Sequence, residues 1–362
     1  MKSMRIAHVR AWWLRLPLTE PYFNALGPLA DFDAIVLRLE AADGRVGWGE
    51  ACPVAGYSPE TPQAAWDFVG IAVDELAGRP LDDLDAYARA HHRRYPFVAS
   101  ALAEAAARLR NDDLLAPVDA PIAVELAGTV NTLSRDEAPA RALDLVEKGY
   151  RTLKVKVGYD APADAARVNA IADAVGGRAR LRVDANQGYD ADAALAFAAA
   201  VRPEAIEVFE QPLPADAWAG LARVARRAPL PVMLDESIYD AGDIDRAAKE
   251  VGAAAVKLKM SKAGGPAALR EQVARARGLG LKVVVGNGVA SDLGCLHEGL
   301  CFARLGIETA GELNGFLKLK APLLGTALRF DAPYLKIGPG PLAAPDSTRI
   351  EACAVASVSG RR

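Results

Sequence analysis

The sequence predicts an α/β protein: a parallel (β/α)₈-type barrel carried behind an α+β segment. Three observations predict it. From about residue 122, eight short apolar runs alternate with amphipathic, Ala-rich stretches. Before them, strand-like patterns come first and helix-like patterns follow, as in an α+β unit. No GxGxxG turn supports the competing open, doubly wound sheet.

The bulk properties are consistent with this. The chain has 362 residues, 51% hydrophobic and 25% charged, with a net charge of −3. Single cores stop growing at roughly 250–300 residues, so two domains are expected. The charge gives no electrostatic footprint for nucleic acid or an anionic membrane. Four cysteines form no CxxC pair in a chain far too long for a disulfide scaffold, which predicts reduced thiols in a cytoplasm. The start, MKSMRIAHVRAWWLRLPL, scatters charge and lacks the apolar core of a signal peptide, and no run of 18 apolar residues exists.

The elements follow in order. Ile6–Leu16 and Ala34–Leu39 alternate like strands, and the ADGRVGWGEA turn (42–51) leads into a third. Helical patterns occupy about 60–77, 82–93 and 97–110, and NDDLLAPVDAP (111–121) closes the segment. The barrel strands are read at 121–130, 151–158, 179–186, 205–212, 230–237, 253–260, 281–288 and 307–315. GPGPLAAP (338–345) marks a tail leaving the barrel.

In such a barrel the active site lies at the C-terminal strand ends. Strand two, RTLKVKVG, aims Lys154 and Lys156 the same way. Strand three ends in Asp184 and Asn186, strand four in Glu210, and strand five in Asp235 and Glu236. Strand six carries Lys257 and Lys259, and strand eight Glu312 and Asn314. Asp184, Glu210 and Asp235 are spaced by 26 and 25 residues, about one βα unit each, so three acids converge. Their repulsion calls for a cation, and carboxylates without neighbouring His or Cys select Mg²⁺, Mn²⁺ or Ca²⁺ over zinc. Strands two and six face each other, which places Lys156 and Lys259 on opposite sides of that metal. A desolvated lysine beside another cation is expected to have a lowered pKa and to serve as a base. One lysine would take the proton α to a metal-bound carboxylate, the metal would stabilise the enediolate, and the other lysine could return a proton from the opposite face. Lys154 is expected to support, by binding the substrate carboxylate and lowering the pKa of Lys156.

The motifs KVKVG, RVDANQG, EQP, LDES and KMSKAGG, in this order and spacing, resemble the enolase superfamily, specifically its muconate-lactonising-enzyme subgroup (mandelate racemase/muconate lactonising enzyme family). The resemblance spans nearly the whole chain. It implies a modified (β/α)₇β TIM-type barrel (121–325) and an α+β capping domain (1–120) completed by the tail (326–362). It also implies Mg²⁺, with Mn²⁺ possible, on Asp184, Glu210 and Asp235, with Lys156 and Lys259 as the acid/base pair. Lys257 falls outside the pattern and reads as structural. Glu236 resembles a residue holding the sixth-strand lysine, and Asn186 one beside the metal. Strand seven ends in Gly286, Asn287 and Gly288 rather than a histidine base, and none of His8, His91, His92 or His297 suits that role. A homo-oligomer is implied as well.

The chain departs from the family in two places. LLAPVDAP replaces an LLGG-like run before the barrel. GELNG puts Glu312 and Asn314 where dipeptide epimerases carry an Asp-x-Asp pair for the substrate ammonium. Specificity is expected from residues 18–33 and 52–60, with Tyr22, Phe23 and Tyr57 as contacts. The first segment has no Lys or Arg, so a neutral, apolar or cationic distal substrate end is expected, with Glu312 free to meet a positive nitrogen. The expected activity on a small-molecule carboxylate is racemisation or epimerisation of an N-substituted amino acid, a proline-like compound or a dipeptide. The alternative is a lyase or cycloisomerase: dehydration, muconate-type lactonisation or an o-succinylbenzoate-synthase-like reaction. A barrel that only binds is the third reading.

Overall fold

The computed structural model describes residues 4–24 and 27–361. Alternating apolar residues build the first layer. β1 (Ile6–Asn24) and β2 (Gly27–Ala41) form a long antiparallel hairpin, and β3 (Val46–Ala51) adds to β2. Three helices cover one face: α1 (Pro62–Leu76), α2 (Leu81–His91) and α3 (Pro96–Arg110). Thr61 caps α1 by accepting from the Ala64 amide, and Asn111 ends α3 in the left-handed region at φ 54°. Val9, Ile35, Leu37, Phe68, Val73 and Leu102 fill the core between sheet and helices. The two glycines of GWG in β3 have a packing reason. A Cβ on Gly47 or Gly49 would sit 1.8 or 1.9 Å from the carbonyl oxygens of Ala105 and Ala101, so only glycine lets α3 lie on β3.

The second layer is the barrel. The run at 121–130 does not form one strand. β4 (Ile122–Glu125) leaves the barrel for a small antiparallel sheet, and β5 (Gly128–Val130) alone enters it. Their split follows from hydrogen bonding: the Leu126 amide turns to Pro333 O (2.8 Å) and the Ala127 amide to Gly311 O (2.8 Å). Then follow α4 (Ala138–Glu147), β6 (Thr152–Lys156), α5 (Ala161–Val175), β7 (Arg180–Asp184), α6 (Ala191–Ala200) and β8 (Ile206–Glu210). Next come α7 (Trp218–Arg227), β9 (Val232–Leu234), α8 (Ala241–Arg246), β10 (Ala255–Leu258), α9 (Met260–Ala263) and α10 (Pro266–Gly278). β11 (Lys282–Asn287), α11 (Asp292–Arg304) and β12 (Glu312–Leu313) complete it. The eight strands β5 to β12 lie in consecutive order, all parallel. The two edges meet at a Leu126–Gly311 bridge. Only a short 3₁₀ turn (Gly315–Lys318) follows β12, giving a (β/α)₇β barrel. β13 (Arg329–Asp331) pairs with β14 (Tyr334–Ile337), which pairs with β4; α12 (Ser347–Cys353) follows, and β15 (Ala354–Arg361) returns to pair with β1.

Buried polar contacts join the two layers. Arg108 on α3 lies 3.3 Å from His297 Nε2, and His297 Nδ1 lies 3.0 Å from Glu104. Burial, then Arg108, holds His297 well below its ordinary pKa. It is therefore neutral, with Nδ1–H donating to Glu104 and Nε2 accepting from Arg108. His297 lies inside α11, away from the strand-seven end. Glu50 on β3 accepts from the Ser291 amide (2.8 Å) and hydroxyl. Glu60 accepts from the Phe97 amide at 2.6 Å, but its Oε2 is buried without a partner, and burial raises its pKa to about 7.

Glu60 yields a pH prediction. A folded pKa above the unfolded value means that the folded state binds more protons, so this term lowers stability as pH rises from the ordinary carboxyl range through 7. Glu60→Gln should therefore raise stability at pH 8 by about 2 kcal/mol and change it little at pH 4.5. Urea denaturation at both pH values checks this; equal shifts at the two would refute it.

Candidate active site

The C-terminal ends of β6 to β10 and β12 bring the predicted residues to one cavity. Register sets the geometry: Lys154 lies opposite Arg182, Lys156 opposite Asp184, and Asp184 opposite Glu210. Parallel strands alternate inward and outward, so these side chains form layers inside the barrel. The lower layer is apolar: Val208, Met233, Ala255 and Val284. Above it lies a layer of buried charge. Lys154 Nζ is 2.7 Å from Asp184, 3.0 Å from Glu210 and 2.6 Å from Glu312. Lys257 Nζ is 3.0 Å from Glu210, 3.8 Å from Asp235 and in contact with Glu312. Arg182, wholly buried, reaches Glu312 at 3.4 Å and donates to Ala310 O at 2.8 Å.

Lys156 and Lys259 stand nearer the mouth. Lys156 contacts Asp184 at 2.7 Å and the Asn186 side-chain oxygen; Lys259 contacts Asp235 at 2.7 Å and the Tyr57 hydroxyl. Their strands are four apart in the sheet, on opposite sides of a cavity that both line.

The charges differ from the expected pattern in one respect. The lysines are not driven down. Burial pulls Lys156 and Lys259 downward, but Asp184 and Asp235 outweigh it and hold both above the ordinary lysine value. Lys154 is raised further, by Asp184, Glu210 and Glu312. It does repel Lys156, but the carboxylates dominate. The acids respond in opposite ways. Despite burial, lysines hold Asp184 and Asp235 well below the carboxylate range. Burial, then Asp184, raises Glu210 to about 7.

Other predicted residues fall around this centre. Asn186 donates to Glu236 at 3.0 Å, so Glu236 pairs with Asn186 rather than Lys259; its Oε2 is buried without a partner. Tyr22 and Tyr57 line the cavity, and Tyr57 lies 3.2 Å from Asp235. The Phe23 side chain lies outside the described residues. Asn314 donates to Thr129 at 3.2 Å, tying β12 to β5. Glu312 is engaged by Lys154, Lys257 and Arg182 and does not stand as a lone anion.

Three contributors escaped the sequence reading. Gln211, at φ 34°, accepts from the Asp235 (2.9 Å) and Ser237 (3.3 Å) amides and holds the end of β9. Lys262 donates to Asp235 O at 2.7 Å. Lys318 lines the cavity from the turn after β12. Gln211 and Lys262 were visible within the EQP and KMSKAGG motifs, whereas Lys318 carries no motif.

The donor chemistry suits a hard divalent cation. Asp184, Glu210 and Asp235 are oxygen donors on adjacent strands, all buried, and Glu236 Oε2 is orphaned beside them. Among the described residues, no three His, Cys, Asp or Glu side chains are arranged to hold an ion, because Lys154 and Lys257 sit between the carboxylates.

Residues 137–341 match the family described as "Enolase C-terminal domain-like". The chain belongs to the enolase superfamily. Within it, the chain falls in the mandelate-racemase/muconate-lactonising-enzyme group. It is 34% identical to an aromatic dipeptide epimerase of Herpetosiphon aurantiacus, over 80% of this chain and 83% of that protein. It is 30% identical to muconate cycloisomerase 1 of Rhodococcus opacus, over 94% and 96%. The solved structure of a muconate lactonizing enzyme from Pseudomonas fluorescens superposes with a TM-score of 0.86 at 26% identity, covering 97% of this chain and all of that one. This chain is accordingly an enzyme of that superfamily, acting on small carboxylate substrates.

The buried charge layer can be tested directly. Lys257→Met removes one cation from between Glu210 and Glu312, and breaking such a pair should cost about 3–5 kcal/mol. Urea denaturation measures it. Adding Glu312→Gln should recover part of the loss; a strictly additive double variant would show that the pair is not coupled.

Proposed function

We propose that this enzyme removes the proton α to a substrate carboxylate and delivers a proton to the opposite face, as a racemase or epimerase of an amino-acid derivative. The observation that carries this reading is the placement of Lys156 and Lys259 on opposite sides of one cavity. A two-sided exchange at a single carbon needs one proton carrier on each face.

Asp184, Glu210 and Asp235 would hold a divalent cation, Mg²⁺ by family precedent. When bound, it supplies positive charge beside the substrate carboxylate and the developing enediolate. The lysines are charged while Asp184 and Asp235 pair with them. Commitment of those carboxylates as ligands would weaken the attraction that raises Lys156 and Lys259 and would bring both toward values at which they accept a proton. Lys154, bridging acids from two neighbouring strands, positions them and offers its ammonium to the substrate carboxylate. Tyr57 and Asn186 fix the two Nζ atoms through direct contacts.

A cycloisomerase or lyase outcome shares these residues and the first proton transfer. It is the second reading because the muconate cycloisomerase likeness, although lower in identity, covers more of both chains. The two differ in whether the enediolate takes back a proton or expels a β group.

Exchange in D₂O with Mg²⁺, followed by NMR over N-substituted amino acids, proline derivatives and hydroxy acids, is the test. Deuterium should enter at the α carbon with inversion. Lys156→Ala and Lys259→Ala should each lose about 10²–10⁴-fold in the turnover rate. Chelation should abolish exchange, and Mg²⁺ should restore it. Full activity in either lysine variant would defeat the two-base mechanism, and consumption without inversion would favour the second reading.

A further inference from the structure

Lys156 and Lys259 are held by different parts of the molecule. Lys156 ends β6, and its carbonyl oxygen accepts from Arg167 on α5. Asp164, also on α5, accepts from the Gly158 amide at 3.0 Å and the Tyr159 amide at 2.9 Å. The Val157 amide turns to Asp184 O at 2.9 Å. These partners all belong to the barrel. Lys259 instead opens the single turn of α9, and its carbonyl oxygen accepts from the Lys262 and Ala263 amides, each at 2.9 Å. The place of Lys259 therefore follows the place of that turn. The barrel holds part of it: the Met260 amide donates to Glu298 at 2.9 Å, and Gln272 donates to Ala263 O at 3.2 Å.

The far end of the turn is held by the cap. His92, at the end of α2, brings Nε2 to 2.6 Å from Lys262 O. A carbonyl only accepts, so Nε2 carries the hydrogen and donates it. Ser100, wholly buried on α3, accepts from the Gly264 amide at 3.0 Å. Gly264 and Gly265 sit at φ 94° and 98°, which disfavours any side chain, and a Cβ on Gly265 would lie 2.5 Å from Ala103 Cβ. The GG pair of KMSKAGG thus makes room for the cap helix α3. Lys262 completes the link to the site: its ammonium donates at 2.7 Å to the backbone oxygen of Asp235, the carboxylate partner of Lys259.

We propose that His92 is a positioning residue for Lys259, and that docking of the cap sets one of the two proton carriers while the barrel alone sets the other. This rests on the α-proton reading above and adds what holds one of its two bases. His92 lies outside the cavity lining and takes no proton itself. Loss of its bond leaves Lys262 O unheld and lets the α9 turn shift, which moves Lys259 Nζ against the reacting carbon. Lys156 stays in place, because its strand end has no part in that junction. A misplacement of about 1 Å costs about 10²-fold in rate.

The test follows deuterium exchange in D₂O with Mg²⁺ on both enantiomers of each N-substituted amino acid, separating exchange with retention from inversion. Each enantiomer presents its α proton to one lysine. Lys259→Ala identifies the enantiomer served by Lys156, the one that still exchanges with retention. His92→Phe should lower inversion of both enantiomers, and exchange of the one facing Lys259, by about 10²-fold. It should leave retention exchange of the other within a few-fold. His92→Gln, whose amide N–H can stand in for Nε2–H, should restore inversion to within a few-fold of wild type. Ser100→Ala should repeat the one-sided loss in weaker form. Equal loss for the two enantiomers, no loss, or no rescue by Gln would overturn the proposal. Thermal unfolding of each variant reports folding separately. Amide hydrogen exchange read by mass spectrometry needs no turnover. In His92→Phe the amides of residues 262–264 should lose protection and those of 157–159 keep it; equal change, or none, would also overturn the proposal. If wild type exchanges no compound, the α-proton reading fails, and amide protection then decides the role of His92 by itself.

Discussion

The structure depends on the compensation of buried charge within the barrel. Lys154, Lys257 and Arg182 share the interior with Asp184, Glu210 and Glu312, all nearly inaccessible to water. Desolvating such ions costs several kcal/mol each, and only close opposite charges and full hydrogen bonding recover it. Both oxygens of Glu210 accept from lysines, and Glu312 receives three cations. An apolar filling would serve stability as well or better. A layer of ions resting on an apolar plug is instead a platform whose charges are held in place before any substrate arrives.

The mouth inherits its geometry from that platform. Lys156 is two residues beyond Lys154 and Lys259 two beyond Lys257, so each outer lysine stands on a strand whose inner lysine is locked. Elements from both layers then close around them. Tyr57 comes from the loop after β3 and Tyr22 from the β1–β2 hairpin. The cap keeps its place through polar contacts such as Glu104–His297 and Glu50–Ser291 rather than apolar packing alone. These directional bonds fix the orientation of the cap over the barrel, so loop residues can meet lysines to within hydrogen-bond distance.

The same electrostatics gives the lysines a dual character. In the protein by itself, neighbouring carboxylates keep both outer ammonium groups charged. Under the proposed mechanism, proton acceptance would follow from how Asp184 and Asp235 are engaged, and the proton carriers would be coupled to the residues that would ligate a cation. A single carboxylate on each side would then serve both the charge state of its lysine and the binding of the proposed ion.

The sequence by itself determined the barrel, its strand order and the convergence of its strand-end residues. Period-two strands at one-βα-unit spacing can close in very few ways, and each leaves the strand ends together. Tertiary structure decided what alternation cannot express. The run at 121–130 divides between two sheets because its middle amides turn to partners about 185 and 207 residues away, which no local pattern contains. The lysine charge states were misjudged for a related reason: the nearest neighbour along the strand is a cation, but the nearest in space are carboxylates on other strands. Glu312 did not keep its expected role because pairing is settled by three-dimensional proximity. Only the fold shows that Glu312 is already occupied by three cations.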